Sequence, residues 1–424
     1  MNTIKSFWTK IANKYTFIIP FLAIVGPGII TANVDNDVGG IATYSIAGAN
    51  YGYSLIWLLV IITVALAVVQ EMVARMGVVT GKGLAALIRE NFGFKITFYA
   101  MIVLIIANLA NTVAEFAGVA AGGEMFGISR YISVPIVAIV VWIMVMMGSY
   151  KYIEKILLFF CLIYVTYIIS GILVHPDWGQ IVHEAVAPKI TWSSGFLIVA
   201  IATIGTTIAP WMQFFQQSLI AEKKIKIKDF KYESIDTYIG AFMTDFVAFF
   251  IIVACAATIF KTGSGDNIQS AGDAAKALQP FGKYAAGLFA IGLINAGVMA
   301  AMVLPVSTAY AVSEGFGWES AIGRKFKDAP RFFILFTLFI VIGAGAILFT
   351  KINLIKVMLF SQTANGILLP VILILMLILC NNPKVMGKHV NSRGFNIVAW
   401  LTVIVTIILT LMLLVATIFP SIFI

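Results

Sequence analysis

The sequence predicts an all-α membrane protein of about eleven transmembrane helices, the first and sixth of them interrupted, built as two inverted repeats. Three observations predict it. Of the 424 residues, 61% are hydrophobic and only 11% charged, too little polar surface for a water-soluble domain. The apolar residues fall in runs of bilayer length. The basic residues concentrate in every second connection between those runs.

The runs lie near residues 17–48, 54–74, 98–122, 131–148, 152–174, 195–222, 237–260, 284–311, 332–350, 354–379 and 396–420. Twenty-one of the 28 lysines and arginines sit in alternate connections, among them Arg75, Lys151, the cluster from Lys223 to Lys231, and Arg324. The positive-inside rule places these in the cytoplasm, with the N-terminus inside and the C-terminus outside. The net charge of +9 therefore reads as topology control, and no nucleic-acid partner is expected. Residues 1–424 are expected to form one transport domain. Within it, 17–174 is the first five-helix repeat, 195–379 the inverted second and 396–420 an extra helix. The first run continues directly into polar residues without a small-residue cleavage site, so no cleaved signal is expected. Cys161, Cys255 and Cys380 are scattered through apolar runs and suggest neither disulfide nor metal motif. The connection from Lys261 to Lys283 reads as external loop with a short helix at DAAKAL.

The first span reads GPGIITANVDNDVGGIATYSIAGANYGYSLIW from Gly26 to Trp57. It places Asp35 and Asp37 beside Gly39 and Gly40 in the middle of an apolar segment. A carboxylate at that depth costs roughly 2.5–3.5 kcal/mol or more, so it is a functional-site hypothesis by default. Asp37 stands where a second half-helix begins, and that N-terminus stabilises its negative charge. The sixth span, IATIGTTIAPWMQFFQQSLIAEK, carries Gly205, Thr206 and Thr207 before Pro210. Proline removes a backbone donor and breaks the ladder. The two broken spans are five apart, and an odd interval makes the repeats inverted. Paired interruptions at corresponding positions point to a transport site. Carbonyls ending the first half-helices near Val34 and Thr206, the Thr206 hydroxyl and the Asp37 carboxylate would make a hard oxygen cage suited to Mg²⁺, Ca²⁺, Mn²⁺ or Na⁺.

Other intramembrane polar residues are candidates of lesser weight. Glu115 is a second charge on the path or a partner for a lysine. Glu71 and Arg75 are spaced for an i,i+4 ion pair. Asp245 and Asn295 are suited to hydrogen bonding between helices. Gln362 is placed to line the pore or orient a water. His175, His183 and His389 all fall in loops or near interfaces. No nucleophile–base pair or phosphate loop occurs, so the chain is not expected to be an enzyme.

The patterns GPGII…DxGG-IAT…YGYSLIW, QEMVARMG, TVAEFAG, DAAKAL, FGKYAAGLFAIGLINAG and the SQ of span ten together resemble the Nramp divalent-metal transporters over nearly the whole chain. The resemblance implies a LeuT-type fold and transport of Mn²⁺ or Fe²⁺ with protons. The departures are specific. The family's first-helix Asp-Pro-Gly-Asn reads Asp37-Val38-Gly39-Gly40 here, so Gly40 replaces an asparagine ligand. Its sixth-helix Met-Pro-His reads Ala209-Pro210-Trp211, losing a thioether and a histidine. Its third-helix Asp-Leu-Ala-Glu reads Thr112-Val113-Ala114-Glu115. These losses are similar to those of the Nramp-related magnesium transporters.

Soft sulfur favours transition metals and all-oxygen sites favour Mg²⁺, which dehydrates reluctantly. The resulting expectation is import of hydrated Mg²⁺, and Mn²⁺ as well, without obligatory proton coupling. Asp37 is the main ligand. Thr206, the carbonyls of Val34, Thr206 and Ala209, the space left at Gly40, and Glu115 and Gln362 complete or orient the shell. The metal is substrate and no cofactor is expected. A monomer in a bacterial cell membrane is expected. The alternatives are a proton-coupled Mn²⁺/Fe²⁺ carrier, a non-transporting metal receptor or scaffold, and, on fold grounds alone, a sodium-coupled organic-solute carrier.

Overall fold

The computed structural model describes residues 21, 23–187, 189, 191, 193–263, 271–277, 283–349 and 354–418. Among these the chain is helical throughout, with no strand. The order is α1 (Pro27–Val34), α2 (Val38–Tyr51), α3 (Ile56–Thr80), α4 (Leu84–Met125), α5 (Arg130–Met147), α6 (Tyr150–Ile163), α7 (Val165–Leu173), α8 (Trp178–Val186) and α9 (Ser194–Thr207). There follow α10 (Pro210–Lys223), α11 (Phe230–Cys255), α12 (Ala271–Ala277), α13 (Lys283–Phe316), α14 (Pro330–Phe349), α15 (Leu354–Cys380), α16 (Pro383–Met386) and α17 (Arg393–Ile418).

Nine helices among the described residues are long and apolar enough to cross a membrane, ten if α15 and its bent continuation are joined. The protein is an integral, multi-pass membrane protein. The first expected span is two half-helices of 8 and 14 residues, neither of which is long enough alone to cross. The tenth expected span is α15, a helix of 27 residues followed across a 65° bend by the short helix after it. The lysines expected at the N-terminus, the start of the first span and most of the GSGD loop lie outside the described residues. DAAKAL does form a short helix as far as Ala277. The amphipathic α8, capped by the Asp177 side chain, was not read from the sequence.

Helices in a bilayer gain no hydrophobic drive toward one another, so close packing and polar contacts hold them together. Backbone approach is tightest where α1 crosses α11. A β-carbon on Gly28 would fall 2.6 Å from the backbone of Thr237, and one on Gly240 would fall 2.7 Å from the Gly28 carbonyl. Glycine at both positions lets the two backbones touch. The longest helix, α4, bends at Gly93, whose φ of 82° few other residues adopt. Its C-terminal part runs into the centre of the molecule, packed on α13. By contrast α5 turns Ile132, Ile136, Ile139 and Met147 outward, the pattern of a lipid-facing helix.

The expected Glu71–Arg75 ion pair forms at 3.1 Å. Arg75 also donates to the His389 carbonyl at 3.0 Å and to Asn391 Oδ1 at 2.6 Å, fastening α3 to the segment before α17. Asn295 donates to the Phe160 carbonyl at 3.2 Å, in keeping with a packing role. Asp245 is buried and interacts with the Thr63 side chain of α3, its oxygens making no closer hydrogen bond. The three cysteines are buried and free.

Candidate metal-transport site

The first break spans Asp35, Asn36 and Asp37. These residue types hydrogen-bond the local backbone and favour caps over helix interiors. The end of α1 tightens accordingly. The Asp35 and Asn36 N–H groups donate to the carbonyls of Ala32 and Asn33, each at 3.2 Å. Asp37 then turns extended (ψ 174°) and caps α2, accepting the Gly40 N–H at 2.6 Å. Its charge sits at the positive end of a 14-residue helix.

The break is held open by side chains from distant helices. Glu115 of α4 accepts the Val38 N–H at 3.1 Å, satisfying another free donor of α2. Tyr164, between α6 and α7, donates to the Asn36 carbonyl at 3.0 Å. The Asn36 amide donates to the Thr244 hydroxyl at 2.8 Å and to its carbonyl at 2.9 Å on α11. All of these groups are buried. The unwound backbone is therefore fixed in place by three separate elements.

The second break is plainer. Ile208 and Ala209 separate α9 from α10, Pro210 occupies the first turn of α10, and no side chain caps it. Proline at that position needs no donor, and its fixed φ suits a helix start. The Ala209 carbonyl accepts the Met212 N–H at 3.2 Å and the Gln213 amide at 3.4 Å, so it is already engaged within its own helix. Trp211 is fully buried. Tyr44 of α2 and Thr207 of α9 meet at 2.8 Å, tying the two broken helices together.

The two breaks converge at Gly40. A β-carbon there would fall 2.9 Å from the Asp35 carbonyl oxygen, 3.0 Å from Thr206 Oγ1 and 3.3 Å from Asp37 Oδ1. Three oxygens from both breaks thus converge on the face of Gly40, too close for a side chain to stand there without displacing them. This corrects the expectation that Gly40 leaves open space. The path of a side chain there is already lined by oxygen, and the result is a tight niche.

Gln362 of α15 closes the arrangement. A β-carbon on Gly39 would collide with its amide nitrogen, and one on Gly205 would fall 3.3 Å from its carbonyl. It touches both breaks. Among the sequence-derived candidates, Asp37, Gly40 and Thr206 lie around the niche and Gln362 packs against Gly39. Glu115 reaches the break through Val38, with its other oxygen buried and unpartnered. Val34 is the last, fully buried residue of α1. Ala209 caps α10, with its carbonyl engaged as described. The sequence reading passed over Asn36, Tyr44, Tyr164, Thr207 and Thr244. The Asp-Asn-Asp run was the one available signal, because the other partners stand up to 208 residues from the break. Among the described residues, no three acidic, histidine or cysteine side chains close around a bare metal ion.

Comparison with known proteins identifies the fold and the family. The chain aligns with a solved mutant of the manganese transporter of Eremococcus coleocola at 20% identity and a TM-score of 0.76, covering 94% of this chain and 88% of that one. The same transporter in complex with an aromatic bis-isothiourea substituted compound aligns at 23% identity and 0.74, over 93% and 86%. MhsT in complex with L-phenylalanine aligns at 14% and 0.57, over 92% and 98%. At these identities the matches establish the architecture, a LeuT-type fold with interrupted helices. The family model described as natural resistance-associated macrophage protein-like, Nramp, matches residues 28–416. The members of that family are transporters and not enzymes. With the sequence motifs, the broken helices and the fold in agreement, the chain belongs to the Nramp family.

Proposed function

We propose that the protein imports divalent cations as partly hydrated ions, preferring Mg²⁺ and accepting Mn²⁺, without obligatory proton coupling. The solved transporters of the same fold that bear the name manganese transporter support the metal class. The observation that carries the preference is the niche at Gly40. The three atoms that converge there from both breaks are oxygens, one of them a carboxylate, with no sulfur among them. Hard oxygen donors favour Mg²⁺, which keeps several of its waters. Asp37 is the principal anionic ligand. Thr206 and the Asp35 carbonyl contact the shell, with Val34, Ala209 and Gln362 shaping its walls. The repeats pair the first break with the second in opposite orientation, and the N-terminus faces the cytoplasm. The protein works as a monomer.

Uptake of Mg²⁺ and Mn²⁺ into proteoliposomes, with an internal pH dye, tests this reading. Metal entering without acidification of the lumen is the expected result. Acidification in proportion to metal uptake overturns it.

A second reading has one specific observation in its favour. Glu115 is fully buried with one oxygen unpartnered, a position suited to taking up a proton. In that reading the chain is a proton-coupled Mn²⁺/Fe²⁺ carrier. Competition separates the two. A large molar excess of Mg²⁺ suppresses Mn²⁺ uptake in the first reading and leaves it nearly unchanged in the second.

A further inference from the structure

A second group of buried acidic side chains lies away from the Asp37 niche, where the start of α1 meets α10 and α11. Lys223, at the end of α10, donates to Glu154 at 2.6 Å and to the carbonyls of Ile24 and Val25 at 2.8 and 2.9 Å. Asp236 of α11 accepts the N–H groups of Gly26 at 3.2 Å and Gly28 at 2.7 Å, capping α1 from outside. These contacts satisfy Lys223, Glu154 and one oxygen of Asp236.

They leave a surplus of acceptors. Glu233 is fully buried, and neither of its oxygens makes a close hydrogen bond; the Gln216 amide and the Lys223 charge act on it from farther off. The second oxygen of Asp236 has no partner. Gln216 of α10 is also fully buried. Its amide nitrogen donates to Thr237 Oγ1 at 2.9 Å, leaving one N–H toward Glu233, and its carbonyl oxygen is unpartnered. Residues 233, 236 and 237 are spaced i, i+3, i+4 on α11 and share one face. Gln216, bonded to Thr237, brings its own oxygen to that same face. Four buried acceptors therefore gather with one amide N–H beside them. Lys223, ion-paired to Glu154, is shared with Glu233 and Asp236, so three carboxylates face its single positive charge and negative charge stays in excess. Buried polar atoms are nearly always satisfied, and a surplus of oxygen acceptors with uncompensated negative charge is the chemistry of a cation site.

We propose that Glu233, Asp236 and Gln216 form a second cation station, beside the start of α1, that takes a hydrated divalent cation in passage. A hydrated ion fits the donor set. Its waters would donate to all four unpartnered oxygens, and two carboxylates balance its charge. The station sits against the very helix that Asp236 caps, so an occupying ion draws on the carboxylate that fastens α1. It rests on the proposed carriage of divalent cations, and its test reads binding rather than uptake.

The experiment titrates Mn²⁺ into the purified full-length chain, followed by electron paramagnetic resonance and calorimetry. The wild-type chain is expected to bind Mn²⁺ at two sites and D37A at one. Adding E233Q to D37A should weaken the remaining site at least tenfold. Gln216→Glu in the D37A background supplies another carboxylate and should tighten it by a similar factor. Monodisperse elution and a single cooperative unfolding transition show that each variant is folded. Loss of all Mn²⁺ binding in folded D37A overturns the station, as does a residual site indifferent to both E233Q and Q216E. So does a protonated-carboxyl infrared band that disappears in E233Q and persists in the wild-type chain at saturating Mn²⁺. Full uptake by D37A would instead overturn the proposed transport site and leave the station's titration readable.

Discussion

The two interrupted helices break in opposite ways. The first does so with three consecutive polar residues, each tied to a partner on another element or to one of the two half-helices they separate. The second does so with Ile208, Ala209 and Pro210, and its carbonyl bonds stay within its own helix. One break supplies charge and is held by a polar network. The other supplies shape and a single hydroxyl, Thr206. Two breaks thus need not contribute equally to a shared site. Under the proposed function the asymmetry would also locate selectivity: charge at Asp37 would attract any divalent cation, while the apolar second break would decide whether a soft ligand joins it.

Substitutions that cross this divide sharpen the comparison. Asp37→Ala removes both the anion and the cap of α2. It should lower metal uptake by about tenfold or more, the equivalent of ~1.4 kcal/mol. A second outcome, lower thermal stability of ~1 kcal/mol from the lost cap, should be partly restored in Asp37→Asn, which caps without charge. Uptake by Asp37→Asn should stay low. Next in size is Ala209→Met, which places sulfur at the plain break. In competition uptake it should shift preference from Mg²⁺ toward Mn²⁺ and Cd²⁺ by about tenfold, because sulfur favours softer ions. An unchanged ratio would mean that the second break does not face the ion. Tyr164→Phe deletes one hydrogen bond to the first break and should cost ~1 kcal/mol, read as a drop in unfolding temperature with a severalfold fall in uptake. Pro210→Ala should be the mildest. Alanine suits a helix start, and stability should change by less than ~1 kcal/mol. If it proves as damaging as Tyr164→Phe, the second break is under more constraint than its sparse contacts indicate.

The fold was legible because bilayer physics writes it in long apolar runs and alternating basic loops. Even the breaks were readable, from Asp37 beside two glycines and from Pro210. What stayed hidden were contacts set by tertiary geometry. Tyr164 and Thr244 look like ordinary residues of apolar helices, and nothing local marks them as holding a carbonyl and an amide 128 and 208 residues away. Gly40 illustrates the other limit. Its lack of a side chain is evident in the sequence, but whether that leaves a void or a close-set ring of oxygens depends on where Thr206 arrives. Asp245 shows that an intramembrane carboxylate can be recognised while its weak tie to Thr63 of α3 is not foreseeable.

The glycine crossing of α1 and α11 has a thermal consequence. At Gly28 and Gly240 the two helices meet backbone to backbone, without interlocking side chains. The end of α1 is fastened chiefly by the Asp236 carboxylate and by Lys223. Tilting that end away would break polar ties while uncovering little apolar surface at the crossing. Heat-capacity change scales with the apolar area exposed, so such a motion carries little of it. An Arrhenius plot of a transport rate limited by this step should be nearly straight across the growth range.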